Sequence, residues 1–133
     1  MDISININTK NIIGVWSLQS FVITDENNLS KNWGDNVHGT LIYTESGHMS
    51  ISINRQLVST DNEFKDIYDA ILSYAGIYQI NGDKIIHTVT ESSNPARIGQ
   101  DQVRHAKLDN GHLVLSSGKE SFGVARLVWA KLK

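Results

Sequence analysis

Between residues 74 and 104 the chain carries six polar side chains that are costly to turn inward and whose chemistry could serve a site: Tyr74, Tyr78, His87, Glu91, Gln102 and Arg104. Alternation along three strand-like stretches puts them on one face. Tyr74, Gly76, Tyr78 and Ile80 share a face, as do Ile85, His87, Val89 and Glu91, and then Gln102, Arg104, Ala106 and Leu108. The tyrosine face carries the larger apolar area and is expected to turn inward. Pairing the last two stretches across residues 92–100 sets Val89 opposite Arg104, with His87 and Glu91 as its diagonal neighbours.

An arginine turned into a protein interior needs a carboxylate or a ligand, because an uncompensated buried cation costs several kcal/mol. Two arrangements meet that need. In one, Arg104 and Glu91 form an internal pair beside a hydrogen-bonded His87 and plug the interior. In the other, Arg104, His87 and Tyr74 orient a bound molecule in an otherwise apolar pocket. The same groups could also do acid–base work. His87 or Glu91 would move a proton while Arg104 or Tyr74 stabilises an enolate-like oxygen, which makes His87, Glu91 and Arg104 the candidate catalytic residues.

The elements that must position these groups are mostly strands. Residues 1–11 are polar and Asn-rich and read as a flexible arm ahead of one domain over 12–133. Ile12–Thr24 alternates, with a change of face near Ser20 and Phe21 that marks a bulge. Gly39–Thr44 and His48–Asn54 follow, the latter with Met49, Ile51 and Ile53 on one side. Asp61–Ser73 is the one helical pattern. Phe64, Ile67, Tyr68, Ile71 and Leu72 form its apolar stripe, and Thr60 with Glu63 gives a capping-box start. Strands return at Tyr74–Ile80, Lys84–Glu91, Asp101–Leu108, His112–Ser116 and Val124–Leu132.

Long connections (25–36, 55–73, 92–100, 117–123) alternate with tight turns (45–47, 81–83, 109–111). In an up-and-down meander this gathers the long loops at one end. The expected fold is therefore all-β: an eight-stranded antiparallel up-and-down barrel with a closed floor, a loop-framed mouth and one short helix at the mouth. Trp16 and Trp129 belong at the floor, and parity turns Trp129 inward and Arg126 outward.

Bulk properties narrow the function classes. The 133 residues suit one domain with a substantial core. The net charge is −2 with Lys and Arg scattered, so no nucleic-acid footprint is present. With no cysteine there is no disulfide or thiol chemistry. No apolar run nears about 18 residues, and Met1–Lys10 lacks the apolar core of a secretion signal, so a cytoplasmic protein without membrane contact is expected. No two histidines sit at metal-ligand spacing on one face, and no phosphate loop, dinucleotide fingerprint or Gly-x-Ser-x-Gly element occurs. No metal or cofactor is expected.

An ordered series of motifs adds to this reading: Gly14-Val15-Trp16, Leu41-Ile42-Tyr43-Thr44, Gly47-His48-Met49-Ser50, Tyr74-Ala75-Gly76-Ile77-Tyr78, His87, Ser93-Asn94-Pro95, Gly99, Gln102-Val103-Arg104 and Arg126-Leu127-Val128-Trp129. From about residue 12 onward the chain resembles the short lipocalin-like domain family. The resemblance implies an eight-stranded barrel of the kind that holds small hydrophobic molecules.

The leading expectation is thus a pocket for a small, mostly hydrophobic molecule with a polar or acidic end. Its lining would be Tyr43, Met49, Ile51, Tyr74, Tyr78, His87, Glu91, Gln102 and Arg104, with Leu41 and Ile53 in the wall. A second reading is a cofactor-independent isomerase or cyclase acting on a secondary metabolite in the same pocket. A third is a filled barrel acting through its outer surface, as a structural module or a homodimer.

Overall fold

The computed structural model describes residues 4–57 and 69–132. Its elements are β1 (Ser4–Ile5), α1 (Thr9–Ile12), β2 (Gly14–Thr24), β3 (Ser30–Asn32), β4 (His38–Tyr43), β5 (His48–Asn54), β6 (Ile71–Asn81), β7 (Lys84–Ser92), a 3₁₀ turn (Pro95–Arg97), β8 (Asp101–Asp109), β9 (His112–Ser116) and β10 (Val124–Leu132). From β4 onward each strand pairs antiparallel with the next, and β10 returns to pair with β2, which also pairs with β4. Eight strands, β2 and β4–β10, therefore close a barrel and leave no open edge in the main sheet. This is the expected up-and-down arrangement. Among the described residues no helix is long and apolar enough to cross a membrane.

Strand parity fills the interior. β5 alternates exposed and buried at every residue, with Met49, Ile51 and Ile53 inward. Trp16, Leu41, Ile53, Ile85, Leu113 and Trp129 are almost wholly buried. At the floor the Trp16 indole donates to Ile12 O at 2.8 Å. The Lys131 ammonium lies 5.6 Å from the Trp16 ring, while Arg126 faces solvent. Trp129 turns inward, as parity requires, so Lys131 is the cation that covers Trp16.

Three local features depart from simple alternation. Residues read as an arm lie against the barrel: Ser4 and Ile5 pair with Asp109 and Leu108, and Ile7 and Ile12 are buried. Next, the helical pattern Asp61–Ser73 falls, up to Tyr68, outside the described residues. Its last residues, Ile71–Ser73, belong to β6, so that strand begins three positions earlier than the tyrosine motif suggested. Finally, β2 carries its bulge at Gln19, because Ser20 pairs with Val128 while Leu18 pairs with Trp129. The extra residue turns Phe21 and Ile23 to the same interior that Trp16 faces.

A second bulge has larger consequences. On β7, Glu91 pairs with Ala75 and Val89 pairs with Gly76, leaving Thr90 unmatched. A glycine is required at 76. A Cβ placed there would sit 1.9 Å from Thr88 O. Gly76→Ala should therefore destabilise the protein by on the order of 3 kcal/mol. Gly82→Ala, at a turn with φ of 65° and open space around it, should cost only about 1 kcal/mol. Chemical denaturation of the two variants checks this, and equal losses would refute the close-approach argument.

Candidate functional site

The connections carrying Trp33, Arg97 and Phe122 meet at one end of the barrel and frame a cavity of about 440 Å³. Its wall is mostly apolar, with Phe21, Ile51, Ile53, Leu72 and Leu127 among the lining side chains. Trp33 and Phe122 come from the mouth loops. β3 folds back on β2, and Trp33 N donates to Phe21 O at 2.9 Å. That bond lays the indole flat on the Phe21 ring, with centroids 5.0 Å apart and planes 8° apart. The Arg55 guanidinium sits 4.3 Å from the Trp33 ring and donates to Trp33 O at 2.6 Å. The strap at the mouth is thereby held from both sides.

The polar lining concentrates on one side, where Tyr74, Arg97, Gln102 and Arg104 converge. Arg104 Nη2 and Arg97 Nη1 each donate to Gln102 Oε1 at 3.3 Å. A guanidinium only donates, so the shared atom must be the amide oxygen, and the Gln102 amide nitrogen remains a donor. Arg97 arrives from the 3₁₀ turn, where Asn94 Oδ1 accepts from Ala96 N at 3.1 Å and Pro95 starts the turn. Gly99 N then donates to Val89 O, and Val89 N donates to Gln100 O, which ties the returning chain to β7.

Behind Tyr74 lies a closed polar cluster. The Tyr74 hydroxyl is 2.7 Å from His87 Nδ1, and the Tyr43 hydroxyl is 2.6 Å from His87 Nε2. All three residues are at most 4% exposed. Burial holds the His87 imidazole down at about 3, with the Arg104 charge adding to the effect. Burial likewise raises the Tyr43 and Tyr74 phenols above their usual range. The cluster is therefore neutral at physiological pH, and its hydrogen bonds satisfy groups that would otherwise be costly to bury.

Of the residues expected in the lining and wall, Ile51, Ile53, Tyr74, Gln102 and Arg104 do line the cavity. Tyr43, Met49 and His87 are buried but lie outside its lining. Tyr78 serves the floor. Its hydroxyl donates to Thr44 O at 2.7 Å, and its ring meets Tyr43 edge-on at 4.8 Å.

Glu91 requires correction. It is exposed and accepts from the Thr90 hydroxyl. The Thr90 bulge shifts parity by one residue and sends Glu91 to the outer face. The register also differs from expectation, since Arg104 pairs with Ile85 and His87 with Gln102. The ladder between β7 and β8 is set by the Val89–Gln100 bonds rather than by centring the loop. No Arg104–Glu91 plug forms. The three candidate catalytic groups consequently do not share one space: Arg104 faces the cavity, His87 sits behind Tyr74, and Glu91 is outside. Among the described residues the carboxylate that lines the cavity is Glu120, which is exposed at the rim.

Sequence reading missed Phe21, Ile23, Trp33, Leu72, Arg97, Ser117, Glu120, Phe122, Ala125 and Leu127, all of which line the cavity. Phe21 and Ile23 followed from the β2 bulge once its position was fixed. Arg97, Trp33 and Phe122 sit in connections, where alternation carries no information. Ser117 is buried but committed, since its hydroxyl donates to Gly118 O and accepts from Ala125 N.

The His87 environment predicts acid lability with a definite sign. Its folded-state pKa lies below the unfolded value of 6.5, so the unfolded chain takes up the proton first. Stability should be intact above about pH 6.5 and fall by up to about 1.4 kcal/mol per pH unit between there and pH 3. Thermal unfolding at stepped pH, set against His87→Leu, should show this component vanish in the variant. An unchanged slope would refute it.

The sequence matches the model of the lipocalin-like domain over residues 13–132. No curated protein matches it. Among solved structures, two point mutants of the fluorescent protein UnaG are similar in shape. One has 14% identity and a TM-score of 0.48, covering 95% of this chain and 99% of that one. The other has 12% identity and a TM-score of 0.46, covering 93% and 98%.

Proposed function

The chain belongs to the lipocalin-like domain family, and from that premise we propose that it binds a small, mostly hydrophobic molecule with an acidic end. One observation carries this reading. Two guanidiniums, Arg97 and Arg104, converge on a single neutral acceptor beside an apolar cavity. Among the described residues their charge is not matched by a carboxylate within the pocket, since Glu91 faces outward and Glu120 stands at the rim. A bound carboxylate would supply both the missing charge and the missing acceptor atoms, in the fork geometry that guanidinium groups favour. The hydrocarbon part would lie against Phe21, Ile51, Ile53, Leu72 and Leu127. About 440 Å³ falls within the usual range for small-ligand sites.

Arg104 anchors the acid, and Arg97 closes over it from the 93–100 connection. Calorimetry with dodecanoate and its methyl ester checks the charge requirement. The acid should bind at least about tenfold more tightly than the ester, the equivalent of one charge-assisted hydrogen bond. Arg104→Leu should abolish that preference while Arg104→Lys retains part of it, with thermal unfolding measured alongside to separate lost binding from lost fold. Equal affinity for acid and ester in the native protein, or an unchanged preference in a folded Arg104→Leu variant, would overturn the proposal.

A further inference from the structure

The direction of the hydrogen bonds around His87 follows from counting protons. The neutral imidazole has one N–H and one lone-pair nitrogen, so it donates to one tyrosine and accepts from the other. Tyr43 is 1% exposed and, among the described residues, its hydroxyl has one partner, His87 Nε2. Were Nε2 to carry the proton, Tyr43 would accept it and its own hydroxyl proton would be buried without an acceptor. That penalty is avoided only if Tyr43 donates to Nε2. The imidazole proton then sits on Nδ1 and is donated to Tyr74 at 2.7 Å. The charge of Arg104 also bears on the Tyr74 phenol. Because Nδ1 already carries a proton, Tyr74 cannot give its own to the imidazole, and that proton has to leave the cluster. Tyr74 lines the cavity, so the cavity is where that proton goes.

The remaining polar groups on that side point the same way. Arg97 and Arg104 only donate, and the Gln102 oxygen is already taken by both of them, leaving its amide hydrogens. Ser117 has spent its proton on Gly118 O. Among the described residues, the deep polar side of the cavity therefore offers mainly donors.

We infer that the Tyr43–His87 pair fixes Tyr74 as a hydrogen-bond donor into the cavity, so that the site selects a ligand end bearing an acceptor oxygen without a proton, a carboxylate or ketone-type carbonyl, over an alcohol or amine of the same shape. Tyr74 is the specificity-determining residue, and Tyr43 and His87 are positioning residues that act through it. The selection rests on the proposed ligand-binding role, but the proton arrangement does not.

Two measurements test this. Long-range proton–nitrogen correlation spectra of ¹⁵N-histidine-labelled protein, without ligand at neutral pH, should show His87 protonated on Nδ1 and bare on Nε2. A proton on Nε2 would overturn the inference whatever the protein binds. The second measurement compares dodecan-2-one with dodecan-2-ol, neutral molecules of nearly identical shape, which removes the charge contribution that the acid–ester comparison reports. The ketone should bind about tenfold or more tightly, because the site turns donors toward the ligand oxygen and leaves an alcohol proton poorly matched. In Tyr43→Phe, His87 is free to take either tautomer and Tyr74 can turn round, so the preference should collapse and the nitrogen shifts should move toward an Nε2–H form. A native protein that binds both molecules equally, or a folded Tyr43→Phe variant that keeps the full preference, would overturn the selection. Should Tyr43→Phe not fold, Tyr74→Phe supplies the same comparison, with loss of the preference expected and its persistence refuting. Failure of acids to bind, with the ketone preference and Nδ1–H form intact, would instead count against the carboxylate reading alone. Binding of neither neutral molecule would leave the spectrum to decide.

Discussion

The electrostatic character of the cavity depends on one close approach between two backbones. At Gly76 the carbonyl of Thr88 occupies the space a side chain would need. The glycine lets β7 ride close enough to β6 for one residue, Thr90, to slip out of the ladder. Everything past that residue changes face. Had the strands stayed in simple register, Glu91 would have turned inward alongside His87 and Val89. The missing side-chain atom at 76 thus helps decide whether this wall of the barrel carries an inward carboxylate, while the β7–β8 register, with Arg104 opposite Ile85, sets how far from it Arg104 stands.

Around that constraint the interior separates into layers of different chemistry. The floor is apolar and committed, with Trp16 and Trp129 packed away and Tyr78 bonded to backbone. Above it sits a neutral cluster of Tyr43, His87 and Tyr74 with no solvent access to speak of. Among the described residues, the cationic groups of the cavity, Arg97 and Arg104, stand above that cluster, in the cavity wall. Keeping the ionised groups in the partly wet layer and the neutral polar groups in the dry one limits desolvation losses, since burying a charge costs far more than burying a hydrogen-bonded neutral group.

Much of this was legible in the residues. The closed eight-stranded meander followed from strand alternation and from the alternation of long and short connections, because those patterns are local and periodic. The inward faces of β5, β6 and β10 followed for the same reason. Simple parity breaks where the ladder itself is irregular, at Gln19 and Thr90. The first break was legible as the change of face near Ser20 and Phe21, and the second had a visible signal, since glycine inside a strand commonly marks a bulge or a close backbone approach. Register across the 93–100 connection was not legible, because it is fixed by backbone bonds from Val89 to Gly99 and Gln100 that any side chains could make. Arg97, Trp33 and Phe122 could not be assigned to the cavity at all. Their positions depend on how loops fold back over the mouth, and no periodicity encodes that.

The strap formed by Phe21, Trp33 and Arg55 gives the molecule an optical asymmetry. Of the three indoles in the chain, Trp16 and Trp129 are sealed in the floor at 1% and 0% exposure, while Trp33 alone is half-buried at the rim and lines the cavity. Intrinsic emission at the red edge of the tryptophan band therefore originates from one position, beside the opening. Quenching by acrylamide would sample that indole and leave the floor pair dark to the quencher, so the chain carries its own site-specific reporter of what enters the mouth.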